Sequence, residues 1–244
     1  LDKKLKMKID ILAVGAHPDD VELSCAGTLA KEIANGKQVA ILDLTQGELG
    51  TRGTPEIRAN EAKAAARILG VTARYNLNFA DGFFKNDKAH QLQLAAYIRF
   101  LKPDMVLCNA VEDRHPDHGR AAALVVESCF LSGLQQVKTT YDGQPQKAWR
   151  PKHVYHYIQW NEGQPDFVVD ISAHMDTKLK AVNAYASQFY NPKTSAPETP
   201  ISSQNFMDSV KYRAANLGRL IGVDHAEGFT ATRLLAVDRI NDLM

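Results

Sequence analysis

Cysteine is scarce in this chain: three residues in 244, Cys25, Cys108 and Cys129, with no C-x-x-C spacing among them. That excludes a thiolate metal cluster or redox pair of the usual kind, and an odd number without a framework argues for reduced thiols in a cytoplasmic setting. An excess of either charge is lacking too. Lys plus Arg total 29 against 28 for Asp plus Glu, a net of +1, so no overall field draws the protein to nucleic acid or an anionic membrane, and neither is expected as a partner. No window approaches the roughly twenty apolar residues that span a bilayer. The basic opening Leu1 to Lys8 is followed by an apolar stretch too short for a secretory signal. Leu1 to Lys6 precede Met7, which reads as a natural start, so they are expected to be a non-native remnant or a frayed end. The dinucleotide fingerprint G-x-G-x-x-G is also missing; Gly15-Ala16-His17-Pro18-Asp19-Asp20 stands where it would fall.

What is present is alternation. Apolar runs at Ile9 to Ala16, Gln38 to Thr45, Arg74 to Phe79 and Asp104 to Ala110 read as strands, and Val21 to Asn35, Glu56 to Leu69, Ala89 to Leu101 and Gly119 to Leu131 read as the helices between and after them. Strand and helix in turn predict an α/β fold with a mostly parallel, doubly wound sheet and helices on both faces. Beyond Leu134 the pattern weakens into a smaller strand and helix portion: strands at Val154 to Trp160 and Phe167 to Ile171, helices at Asp176 to Tyr190 and Gln204 to Ile221. Asn191 to Ser203, with Pro192, Pro197 and Pro200, is expected to be an irregular loop serving as a lid, a subunit contact or simply mobile chain. A single domain over 1–244 is expected, with about 7–134 as the core and about 135–244 packed on it.

Two nearly matching clusters, His17-Pro18-Asp19-Asp20 and His115-Pro116-Asp117-His118, each follow an apolar strand, roughly a hundred residues apart. In a 3-2-1-4 strand order the first and fourth strands are neighbours where the winding reverses, so both clusters reach one ligand crevice. Imidazole with carboxylate suits zinc, or another divalent transition metal, better than magnesium or calcium. His17, Asp20 and His118 are the expected ligands, leaving a position open for water, as in hydrolytic sites. The bland alternative makes Asp20 a helix cap and His17 a loop histidine. Asp19 projects differently from Asp20 and is the candidate general base, unless it is a surface aspartate. His115, protonated, is placed to stabilise an oxyanion or protonate a leaving amine, with Asp117 holding its tautomer.

The loop Gly47-Glu48-Leu49-Gly50-Thr51-Arg52-Gly53-Thr54 follows the second strand on the same sheet edge. Its glycines allow close approach to a ligand, and Arg52 is expected to grip a substrate carboxylate, or else to be solvated on a flexible loop. Arg58 and Asp81 are candidates for sugar hydroxyls, or plain helix-surface and turn residues. His90, His153, His156, His174 and His225 show no ligand spacing with each other.

At these residues the sequence resembles the LmbE-like, or PIG-L-like, family of zinc-dependent N-acetylglucosaminide deacetylases, through Ala16-His17-Pro18-Asp19-Asp20 and His115-Pro116-Asp117-His118. It is similar further to the branch acting on N-acetylglucosaminyl malate in bacillithiol biosynthesis, through the Arg52 loop, Asp113 to Arg120, Tyr155 to Gln159, Ser187 to Tyr190, Glu198 to Ser203 and Gly218 to Gly222. The resemblance implies a Rossmann-like fold, zinc on His17, Asp20 and His118, Asp19 as base, and His115 at the oxyanion with Asp117 behind it. It also implies a small amino-sugar substrate and a homo-oligomer, hexameric in close relatives. Competing readings are a metal-dependent phosphoesterase, for which the site offers few extra carboxylates, and a non-catalytic sugar or carboxylate binder, for which Asp19 would be superfluous.

Overall fold

The computed structural model describes residues 8–243, so Leu1 to Lys6 lie outside the described residues. The first half alternates as the apolar runs predict: β1 (Ile11–Gly15), α1 (Asp20–Ala34), β2 (Val39–Thr45), α2 (Pro55–Leu69), β3 (Ala73–Phe79), α3 (Lys88–Leu101), β4 (Met105–Cys108) and α4 (Pro116–Ser132). A short hairpin follows, β5 (Thr140–Tyr141) with β6 (Gln144–Pro145), then β7 (His153–Tyr157), β8 (Phe167–Asp170), α5 (Met175–Asn183), α6 (Gln204–Ile221) and β9 (Ala226–Ala231).

Seven strands form one sheet in the order β3-β2-β1-β4-β7-β9-β8. The pairs from β3 to β7 are parallel, while β9 runs antiparallel to both β7 and β8. The 3-2-1-4 order is therefore present, and the C-terminal strands continue the same sheet. Every residue of β1 and β2 is buried, as a parallel strand covered on both faces requires. Alternation still sorts the side chains: Ile11, Ala13, Val39 and Ile41 pack with α1, α2 and α5, whereas Leu12, Val14, Ala40 and Leu42 pack with α3 and α4.

Helices α4 and α5 and strand β9 depart from expectation, and the β5–β6 hairpin falls where no element is expected. Helix α4 starts at Pro116 rather than Gly119, because the His115 ring accepts the Asp117 N–H as an N-cap and Pro116 takes the first helical position. The second His cluster thus sits on a helix's first turn rather than in a loop. Helix α5 stops at Asn183, and Ala184 to Tyr190 turn back toward the α2 side, where Ser187 donates to Glu61. Strand β9 follows the last helix with no strand predicted there. Among the described residues, no helix is long and apolar enough to cross a membrane.

Candidate active site

The loop between β1 and α1 carries His17 to Asp19, and β4 delivers its neighbour cluster alongside, since β1 and β4 pair in register. His17, Asp19, Asp20, His115 and His118 all line one cavity of about 400 Å³, within the size of small-molecule sites. Asp19 has φ 115° and ψ −24°, a left-handed backbone for a buried, non-glycine residue. Such strain persists only where surroundings over-determine it. Here Arg58 does so, donating to the Pro18 carbonyl, to the Asp19 carboxylate at 3.0 Å and to the Gly47 carbonyl at 3.2 Å. Gly47 is needed for that reach: a Cβ there would lie 1.8 Å from Arg58 Nη1.

By mutual approach of donor atoms alone, His17 groups either with His115 and His118 or with Asp81 and Asp117, all within 4.8 Å. Second partners separate the sets. His17 Nε2 faces Asp81 at 3.0 Å and Asp117 at 3.3 Å, while its Nδ1 lies 3.7 Å from Asp20. His118 Nδ1 bonds Asp113, and its Nε2 lies 3.1 Å from Asp20. Asp20 therefore lies between one free nitrogen of each ring, and carboxylates anchor the other nitrogen, as metal-ligating histidines are commonly held. Asp20 is itself fixed by the His17 N–H, by Asn109 and by Gln159. Two imidazoles and a carboxylate so arranged fit a divalent transition metal.

The electrostatics follow from this crowding. Burial alone would lower the His17 imidazole, but Asp117, Asp20 and Asp81 outweigh it and hold the ring well above its ordinary value. Burial likewise opposes the charged form of His118, yet Asp20 and Asp113 raise it to about 9. Asp20 is resisted by burial but driven well below the carboxylate range by His118 and His17. Asp19 behaves oppositely: burial pushes it up to about 7, with Arg58 only partly offsetting.

Several expected roles change. Asp117 does not orient His115 with its carboxylate, which is taken by His17, by the Gly82 N–H and by Arg120. His115 is held instead by the Asp117 backbone N–H, donated to its Nδ1 at 3.2 Å. Burial first, then the nearby His17 and His118, lower His115, and with Nδ1 accepting the Asp117 N–H its ring proton lies on Nε2. Arg52 does not present a free fork: it donates to the carbonyls of Pro197 at 2.6 Å, Ala196 at 3.1 Å and Phe189 at 3.4 Å. Arg58 and Asp81, expected at sugar hydroxyls, line the cavity but serve Asp19 and His17; Asp81 also accepts the Leu49 N–H. Asp113, Asn109 and Gln159 have no role in the motif reading. Only Asp113, five residues before His118, lies near enough in sequence to have been paired with it.

Residues 12–129 match the sequence profile of a family described as PIG-L, GlcNAc-PI de-N-acetylase. The chain is 30% identical over 190 residues, 73% of its own length and 70% of the relative's, to the diacetylchitobiose deacetylase of Thermococcus kodakarensis. It is 26% identical over 201 residues, 76% of this chain and 84% of the other, to a probable N-acetyl-α-D-glucosaminyl L-malate deacetylase 2 of Bacillus anthracis. A crystal structure of a conserved protein from Thermus thermophilus superposes with a TM-score of 0.84 at 37% identity, covering 94% of this chain and 98% of that one.

Proposed function

Because the chain belongs to the PIG-L, GlcNAc-PI de-N-acetylase, family, we propose that it removes the acetyl group from an N-acetylglucosaminide, with N-acetylglucosaminyl L-malate as substrate and zinc as the metal. The observation that carries this reading is the pairing of a metal donor set with a separately held base. His17 and His118 each bring a ring nitrogen toward Asp20, while Asp19, next to Asp20 in the chain, has a left-handed backbone and its carboxylate held by Arg58. A metal-binding module has no use for such a base.

When bound by His17, Asp20 and His118, a divalent metal supplies a Lewis acid that polarises the acetamide carbonyl and acidifies a water. Asp19, poised at about 7, accepts a proton from the attacking water, as a base matched to neutral pH does. His115 offers its Nε2–H to the carbonyl oxygen as negative charge grows there. Collapse of the tetrahedral carbon breaks the C–N bond. The proton held on Asp19 then passes to the departing amine, giving acetate and a free glucosamine amine. Arg58 keeps the Asp19 carboxylate facing the cavity throughout.

The test is free-amine release from N-acetylglucosaminyl malate and N,N′-diacetylchitobiose, with and without chelator. Chelator-sensitive release is expected, faster on the malate glycoside. Asp19→Asn should keep its metal by elemental analysis yet lose on the order of 10²–10⁴ in turnover. A metal-free Asp19→Asn protein, or one at full activity, removes Asp19 from the role of base; chelator-insensitive wild-type turnover removes the metal.

A further inference from the structure

Four guanidinium groups line the cavity, those of Arg52, Arg58, Arg114 and Arg213. Arg52 is spent on backbone carbonyls and Arg58 on the Asp19 turn. Among the described residues, the arginine ion pairs are those of Arg58, Arg74, Arg120 and Arg239. Arg114 and Arg213 have none.

Arg114 is exposed, whereas Arg213 is partly buried. Arg213, on α6, has a buried Nε without a hydrogen-bond partner, and an unpaired buried N–H of a charged group is costly to keep. Burial lowers its guanidinium pKa, only partly offset by the charges of Glu162 and Asp113. Asp113 makes no ion pair with it, and its two oxygens already bond His118 and the Asn161 N–H. The Arg114 Cζ lies over the Trp160 ring, 4.5 Å from its centroid. That contact is a cation–π one, and the Arg114 N–H groups make no hydrogen bond or ion pair among the described residues. Trp160 stacks in turn on Phe206 of α6, at 5.8 Å between centroids, which joins the loop after β7 to the helix carrying Arg213. A cation, an indole and a second cation thus border the same cavity as the base and the metal donors.

We propose that Arg114 and Arg213 form a subsite for a carboxylate on the aglycone of the substrate, with Trp160 as its apolar wall, the part sequence reasoning gave to Arg52. The assignment rests on the deacetylase reading for what the rest of the substrate is. A planar carboxylate matches the guanidinium fork with two parallel hydrogen bonds and would satisfy the orphaned Arg213 Nε. It also explains why two arginines stay uncommitted beside a metal site already crowded with carboxylates.

The experiment is calorimetric titration of N-acetylglucosaminyl L-malate, and separately of neutral N,N′-diacetylchitobiose, into metal-loaded Asp19→Asn protein, in which the substrate stays intact. Arg213→Met and Arg114→Met are then added in turn, with Arg213→Lys as the variant that keeps charge and helix packing. Each Met substitution is expected to weaken the malate glycoside by about ten- to a hundredfold, a larger loss than for diacetylchitobiose, with Arg213→Lys between. Three results overturn the subsite: equal losses on both ligands, a parent protein that holds the malate glycoside no tighter than the neutral sugar, or a selective loss in Arg52→Met alone. Amine release by the otherwise wild-type protein is followed in parallel. Selective binding of the malate glycoside without release supports the subsite and refutes the deacetylase reading.

Discussion

A lone side chain in this site is defined by what its second atom touches. His17 and His118 each commit one ring nitrogen to carboxylates and turn the other toward Asp20, and both rings are raised, His118 to about 9. Near pH 7 both are therefore protonated without metal, and binding a divalent ion at these nitrogens should release about two protons. Calorimetry in buffers of different ionisation enthalpy counts them; release near zero would show that the metal binds elsewhere. Stability follows the same sign. A histidine raised in the folded state contributes stability that is fully present below its unfolded value of about 6.5 and is lost as pH rises. The metal-free protein should lose melting temperature as pH climbs through the His118 value of about 9. The approach of His17 and His118 to Asp20 is legible in sequence because short spacing and a preceding strand fix their place. The partners of Arg52 are not: they lie 137 to 145 residues away, on a loop that meets the β2 loop only when the sheet is complete.

Elements show the same division between local and distant signals. Capping residues and periodicity locate the first eight elements to within a few residues, but β9 escapes because its sequence Ala-Glu-Gly-Phe-Thr-Ala lacks a strand's apolar pattern. The reason is that Glu227 is not on a solvent face. It is buried, accepts the N–H groups of Gly27 and Thr28 in the middle of α1, and pairs with Lys178 of α5 at 2.6 Å. Lys178 donates as well to the Leu23 carbonyl, so both groups of the rung an unbroken helix makes between Leu23 and Gly27 have side-chain partners. Gly27 also lets Ile171 pack against α1, since a Cβ there would come within 2.6 Å of it. Lys178→Met strands a charged Glu227 and should cost about 3–5 kcal/mol, read by denaturant unfolding; Lys178→Met with Glu227→Gln should recover part of it. A loss below about 1 kcal/mol, as for an exposed pair, would mean that the pair does not bind α1 to the C-terminal strands.

For the whole molecule, sheet order decides how its two portions relate. The alternating half and the C-terminal portion share one sheet through the parallel β4–β7 pair, and Tyr157 of β7 donates across to the Val14 carbonyl of β1. One calorimetric unfolding transition is therefore expected, with van't Hoff and calorimetric enthalpies equal; two resolved transitions would show that the portions melt separately. The same order has a consequence for how the chain is made. Strand β9, near the end of the chain, lies between β7 and β8, which pair with each other nowhere. During synthesis the ribosome delivers β7 and β8 well before the strand that joins them, leaving β8 unpaired and β7 open along one edge, a template for neighbouring chains. The helix that carries Asp20 is made long before its Glu227 partner, which lies 200 residues beyond the Gly27 N–H it accepts.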